Sequence, residues 1–196
     1  MSGRCPGGAP ARREEVEQWR TKGSTQLRTP PRHRWTVRDL KVVGTSEMRV
    51  STSTSDVLVT YSLGSCVALS LFDPVVGVGG LIHCKLPVSK LDPEQARSQP
   101  QVFVDTGVTS LLQAVFDLGA TRRDLIAKVI GAGQRVDENG RFATGRRNYA
   151  VVRKLLWKNN ILIAGEDVGG PTSRSVFLEI ATGQTFVRSH GVMVAV

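Results

Sequence analysis

Thr60-Tyr61-Ser62-Leu63-Gly64-Ser65-Cys66 runs directly into the apolar segment Val67-Ala68-Leu69-Ser70-Leu71-Phe72, closes at Asp73-Pro74, and returns through Gly79-Gly80-Leu81-Ile82-His83-Cys84-Lys85-Leu86-Pro87. A short apolar run bounded by turn residues reads as a buried strand. The Asp-Pro pair supplies turn chemistry, the Gly77–Gly80 cluster opens the next strand at Leu81–Cys84, and Pro87 ends it. The stretch therefore predicts a strand, a turn and a return strand. It places a thiol at the mouth of the first and an imidazole on the second, the pair needed for a cysteine nucleophile and its base. Thr60 is the candidate third member. Gly64, lacking a Cβ, is expected to let the chain turn sharply ahead of the thiol and to help aim the Ser65 and Cys66 N–H groups at a developing oxyanion. Cys84, next to His83, falls on the opposite face by strand alternation and outside this site.

Upstream, Lys41-Val42-Val43 and Glu47–Ser51 alternate polar and apolar residues as half-buried strands do, and Asp56–Thr60 leads into Gly64. Downstream, residues 88–101 are polar, contain Pro93 and Pro100, and read as an exposed loop. Val102–Leu118 carries Val104, Val108, Leu111, Leu112 and Val115 at helical spacing, one buried face of a helix. Leu125–Ile130 reads as a strand ending in Gly131-Ala132-Gly133, which lacks a complete phosphate-binding fingerprint and is taken as a tight turn. Gly145–Asn159 predicts a second helix with Val151, Val152, Leu155 and Leu156 inward. Ile161–Ala164, Ser175–Ile180 and Gln184–Arg188 read as strands, the last two joined at Thr182-Gly183. Asp105 and Asp167 are either substrate contacts or caps, caps being preferred. His33 and His190 read as surface residues, and Trp35 as an anchor that buries its ring near the first strand.

Six to eight strands unevenly interleaved with two helices predict an α/β fold: a single mixed α/β sandwich domain with helices packed on mixed β-sheets, spanning 35–196. Residues 1–34 hold four of the nine prolines and few large apolar side chains, so they are expected to form a largely disordered basic extension, with at most a short helix around Glu14–Arg20. The net charge of +9 belongs mostly to this end: residues 1–38 contain nine basic and three acidic side chains, leaving +3 for the rest. A domain so nearly balanced is not a specific nucleic-acid binder. No apolar run approaches the length that spans a bilayer, and no signal-peptide core is present, so no membrane insertion is expected and the location is read as cytoplasmic. The three cysteines, Cys5, Cys66 and Cys84, form neither a disulfide framework nor a paired zinc motif. No metal site is expected.

The pattern Thr-x-x-Leu-Gly-Ser-Cys-Val, an Asp-Pro turn and Gly-Gly-x-x-His-x-x-Leu-Pro, here Thr60–Val67, Asp73-Pro74 and Gly79–Pro87, resembles the chemoreceptor glutamine deamidases of chemotaxis, the CheD family. Phe103-Val104-Asp105-Thr106, Lys128–Gly133, Gly145-Arg146-Arg147-Asn148 and Asp167-Val168-Gly169-Gly170 with Arg174 resemble that family's later signatures. The resemblance implies that Cys66 is the nucleophile, His83 the general base and acid, and Thr60 the residue that fixes the histidine. It implies a protein-glutamine glutaminase that hydrolyses side-chain amides of the cytoplasmic part of methyl-accepting chemoreceptors through a thioester, with no cofactor. The alternative it carries is a binding module that docks on a CheC-type phosphatase with little catalysis of its own. Cys84, Lys85 and Pro171-Thr172-Ser173 depart from the family pattern.

Overall fold

A computed structural model describes residues 35–134 and 143–196. The expectations for the extension 1–34, including the helix around Glu14–Arg20 and the placement of His33, lie outside the described residues.

Val67–Phe72 is apolar without strict alternation because the strand that contains it is covered on both sides. Strand β4 (Val67–Asp73) and strand β5 (Val78–Cys84) are buried along their whole lengths and pair antiparallel, Leu69 opposite Ile82 and Ala68 opposite His83. They form the centre of a five-stranded sheet completed by β2 (Met48–Ser51), β6 (Ile126–Gly131) and β7 (Ile163–Val168), in the order β2-β5-β4-β6-β7. On one face lie helices α2 (Val104–Asp117) and α3 (Ala143–Lys158): Val108, Leu111, Val115, Val152 and Leu156 pack on Leu69, Leu71 and Ile82. On the other lies a second five-stranded sheet, β1 (Leu40–Val42), β3 (Val57–Leu63), β8 (Arg174–Glu179), β9 (Thr185–Ser189) and β10 (Val192–Ala195), in the order β1-β3-β8-β9-β10. Ala68, Phe72, Leu81 and Ile130 meet Leu58, Leu63, Val176 and Leu178 between the two sheets.

The mixed α/β sandwich with helices on mixed sheets is thus the fold observed; β1–β3 and β6–β7 pair parallel and the other ladders are antiparallel. Of the glycine cluster, Gly77 precedes β5 while Gly79 and Gly80 lie inside it. A Cβ at Gly80 would stand 2.9 Å from Leu111 Cδ1 and one at Gly79 would run into Ile180 Cδ1, so the helix layer and the facing sheet both close onto this strand.

Elsewhere the structure adds detail the pattern did not carry. Residues 88–101 are exposed, as expected, but not irregular. They hold the short helix α1 (Pro93–Ser98), started by Pro93 and by the Asp92 carboxylate accepting the Gln95 N–H at 2.9 Å. Strand β7 begins and ends later than Ile161–Ala164, and β10 extends a sheet that the reading ended at Arg188. Among the described residues there are ten strands, more than the six to eight expected. Trp35 stacks on Phe177 with ring centroids 5.3 Å apart, meets Phe186 edge-on, and donates its Nε1–H to Glu179 Oε1 at 3.0 Å. It anchors the outer face of the second sheet.

Candidate active site

Thr60 comes to the site from one sheet, His83 from the other, and Cys66 from the loop that joins them. Strand β3 pairs with β8 in regular register from Val57 to Thr60, then shifts: Thr60 opposes Val176 but Leu63 opposes Arg174. The extra residue is a bulge, with Ser62 in the left-handed region at φ 60°. It lets Thr60 and Leu63 both face the gap between the sheets, where strict alternation would have turned one of them away. The bulge lies inside β3, and the bend ahead of the thiol falls at Gly64-Ser65, where the sequence places it. Gly64 has no positive φ, and a Cβ placed on it would meet nothing within 4 Å.

Across the gap, Thr60 Oγ1 and His83 Nδ1 share a hydrogen bond of 2.8 Å, both side chains being fully buried. The His83 backbone is held from the edge: its N–H donates to Glu47 O at 3.0 Å and its carbonyl accepts from Ser46 N–H at 2.8 Å. His83 Nε2 is buried and has no hydrogen-bond partner among the described residues. Cys66 is half-buried and packs against the cluster between the sheets. It precedes β4 and shares a face with Ala68, the register partner of His83, which makes Cys66 the diagonal cross-strand neighbour of His83. Such neighbours lie about 7–8 Å apart at the backbone, within reach of an imidazole. Nδ1 being occupied by Thr60, the nitrogen left for the thiol is Nε2.

Electrostatics make this a neutral pair at rest. Burial lowers the His83 pKa from 6.5 to about 4. Burial pushes the Cys66 thiol up, while the Lys85 ammonium and the residue's own backbone N–H pull it down. Thr60 offers no charge that would stabilise an imidazolium. Proton transfer must accordingly accompany attack instead of preceding it. Cys84 lies on the helix side among the α2 contacts, and burial pushes its thiol further from ionisation. It is outside the site, as alternation predicts.

The loop carrying Cys66 is fixed by backbone. Ala132 N–H donates to Cys66 O at 2.6 Å and Gly133 N–H to Gly64 O at 2.7 Å. Gly131 sits at φ 97°, and a Cβ on it would stand 2.6 Å from Cys66 O, while one on Gly133 would stand 2.8 Å from Gly64 O. Gly131-Ala132-Gly133 is therefore not the tight turn expected: Gly131 ends β6, residues 132–134 carry no turn, and the two glycines permit this close approach to the Cys66 loop. Gly169 N–H bonds Gly131 O at 2.9 Å, extending the layer to the Gly169-Gly170 turn. Arg174 spans that turn, its Nε and Nη2 each 2.9 Å from Asp167 Oδ1 and its Nη1 bonded to Thr172 O. Asp167 is therefore an ion-pair partner and not a cap. Asp105 likewise fastens the 88–101 segment to α2 by accepting both the N–H and the hydroxyl of Ser89 at 2.8 Å.

One buried residue had no role in the sequence reading. Asn148 donates from Nδ2 to Ser65 O at 3.0 Å and to Lys85 O at 3.1 Å. The signal was available: Asn148, Val152 and Leu156 follow one another at i+4 on the buried face of α3, and a polar residue in such a stripe needs a partner there.

With this geometry in view, comparisons with known proteins are decisive about kinship. A family model described as CheD chemotactic sensory transduction matches residues 85–189. A relative from Syntrophus aciditrophicus, named probable chemoreceptor glutamine deamidase CheD 1, is 47% identical over 150 residues, covering 76% of this chain and 94% of its own. The chain belongs to the CheD family. Similar proteins carrying the deamidase name occur in Solibacter usitatus, at 45% identity over 76% of this chain and 89% of the relative, and in Pyrococcus horikoshii, at 37% over 67% and 82%. The family model begins just past His83 and does not cover Thr60, Cys66 or His83. Among the described residues no helix is long and apolar enough to cross a membrane.

Proposed function

We propose that this CheD-family chain deamidates glutamine side chains of chemoreceptors in the cytoplasm, with Cys66 as nucleophile, His83 as general base and acid, and Thr60 as the residue that orients His83. The observation that carries the reading is the contact of Thr60 Oγ1 with His83 Nδ1 at 2.8 Å, which leaves a buried Nε2 with no partner among the described residues as the nitrogen free to take a proton. With Nε2 as the base, Nδ1–H donates to Thr60 Oγ1, which sets the tautomer. The domain that does this spans 35–196 in our reading, and the basic extension 1–34 lies outside it.

The steps follow from that arrangement. Cys66 Sγ attacks the carboxamide carbon as its proton passes to Nε2, and the carbonyl electron pair moves to oxygen. The intermediate collapses, the C–N bond breaks, and the proton on Nε2 leaves with ammonia. Water then loses a proton to Nε2 and attacks the thioester. The C–S bond breaks, the thiolate takes the proton back, and glutamate remains.

Ammonia release from a receptor cytoplasmic fragment tests this directly. Cys66→Ala and His83→Ala should each abolish it while circular dichroism stays unchanged; release by Cys66→Ala at the wild-type rate refutes the mechanism. A second reading, docking on a CheC-type phosphatase, has no use for an oriented imidazole with a free nitrogen. Binding unaffected by Cys66→Ala, together with no deamidation by wild type, would favour it.

A further inference from the structure

Between the Asn148 carboxamide and the thiol stands a single peptide group. Asn148 is completely buried, and its Nδ2 donates both hydrogens, to Ser65 O at 3.0 Å and to Lys85 O at 3.1 Å. Two carbonyl acceptors fix which end of the amide is which, since a flipped side chain would set Oδ1 against both. The Ser65 carbonyl shares its peptide plane with the Cys66 N–H, and in a trans peptide the two point in opposite directions. Asn148 therefore grips one end of the plane while the other end, the Cys66 N–H, points away from it. The Cys66 N–H approaches its own sulphur, and among the described residues it bonds no backbone carbonyl outside the strand ladders. The second bond, to Lys85 O, holds the end of β5 two residues past His83. One side chain ties together the strand ends that carry nucleophile and base. It does so although its Oδ1 is buried without a partner among the described residues, an arrangement that packing alone does not favour.

We propose that Asn148 is a positioning residue: it orients the Ser65–Cys66 peptide so that the Cys66 N–H serves as an oxyanion donor, and it fixes the Cys66 loop against the end of β5. The proposal rests on the acyl-transfer reading of Cys66. It does not depend on what the acyl group belongs to.

The test separates attack at a carbonyl from thiol reactivity as such. With p-nitrophenyl acetate, the Cys66 S–C bond forms, the carbonyl pair moves to oxygen, and the C–O bond then breaks to release p-nitrophenolate. With iodoacetamide, sulphur displaces iodide at a saturated carbon and no oxyanion forms. Removing an oxyanion donor outright costs about 100- to 1,000-fold. Misaligning one should lower the acylation rate by about 10-fold or more relative to alkylation. Asn148→Ala and Asn148→Ser are both measured, on protein whose circular dichroism and cooperative melting show it folded. A ratio that falls in a folded variant supports the proposal. A ratio left at the wild-type value, or two rates that fall together, overturns it. Through-hydrogen-bond coupling from Asn148 Nδ2 to the Ser65 carbonyl carbon is read in parallel on the wild-type protein, where its absence overturns the proposal whatever the variants do. If the ratio falls but wild type forms no glutamate on receptor, the deamidase reading fails and the positioning role stands.

Discussion

Lowering the pH from 7 to 4 protonates His83 in the unfolded chain well before it does so in the folded one. In the folded protein burial holds the imidazole at about 4, against 6.5 when it is free. Between those values the unfolded state binds more protons, so stability rises with pH across the window and is lost as pH falls through it. At about 1.4 kcal/mol per pH unit, the interval from 6.5 to about 4 amounts to about 3 kcal/mol lost by pH 4. The assay is urea unfolding at pH 7 and pH 4 of Cys66→Ala protein, which has no thiol at the site, with and without His83→Gln. Carboxylate titration is common to both proteins, so the difference isolates the imidazole. The parent should lose about 3 kcal/mol more than the His83→Gln protein. Equal losses to within about 1 kcal/mol, or a larger loss in His83→Gln, would refute the claim that the folded imidazole is kept neutral by burial. The same neutrality predicts that the base remains available at pH 5, where an unperturbed histidine would be mostly charged.

Thr60→Val keeps the side-chain shape but removes the Nδ1 partner; it should cost about 1–3 kcal/mol in denaturant titrations and lower kcat for ammonia release more than KM. Gly133→Ala places a Cβ 2.8 Å from Gly64 O and 3.2 Å from Gly170 O, so it should destabilise by about 1–3 kcal/mol, whereas Gly64→Ala, with open space at its Cβ, should stay within about 0.5 kcal/mol of wild type. Thermal melts of the two side by side check that contrast. Trp35→Ala removes the stack on Phe177 and the bond to Glu179, and should cost about 2–3 kcal/mol by chemical denaturation while leaving the alkylation rate of Cys66 unchanged.

How much of this was legible depends on how local the cause was. The β4–β5 pair was readable because burial on both faces leaves a continuous apolar run, and alternation then put Cys84 behind His83 without further information. The helix over Val104–Asp117 was readable from its apolar spacing. The Thr60–His83 contact spans 23 positions and two sheets, so no periodicity expresses it; residue type makes Thr60 a candidate and the family resemblance gives it a role. The bend at Gly64-Ser65 is legible from its glycine, but the bulge at Ser62 is not, because a bulge is a fact about register with a partner strand and β8 lies more than a hundred residues away. The grip of Gly131-Ala132-Gly133 on the Cys66 loop is backbone on backbone and leaves in the sequence only the small size of its residues. Strand β10 is short and half-exposed and lacks the apolar run that marked β4. Asn148 was visible as a polar residue on a buried helical face, but its acceptors are two carbonyls, which no side-chain pattern encodes.

In the proposed reaction Cys66 cleaves the side-chain amide of receptor glutamines. Peptide mass spectrometry of a receptor cytoplasmic fragment, incubated with wild type or with Cys66→Ala protein, tests it most directly. Wild type should add about 1 Da at particular glutamines, as –NH2 is exchanged for –OH, and Cys66→Ala should add none. The same increase with both proteins, or with neither, would contradict it.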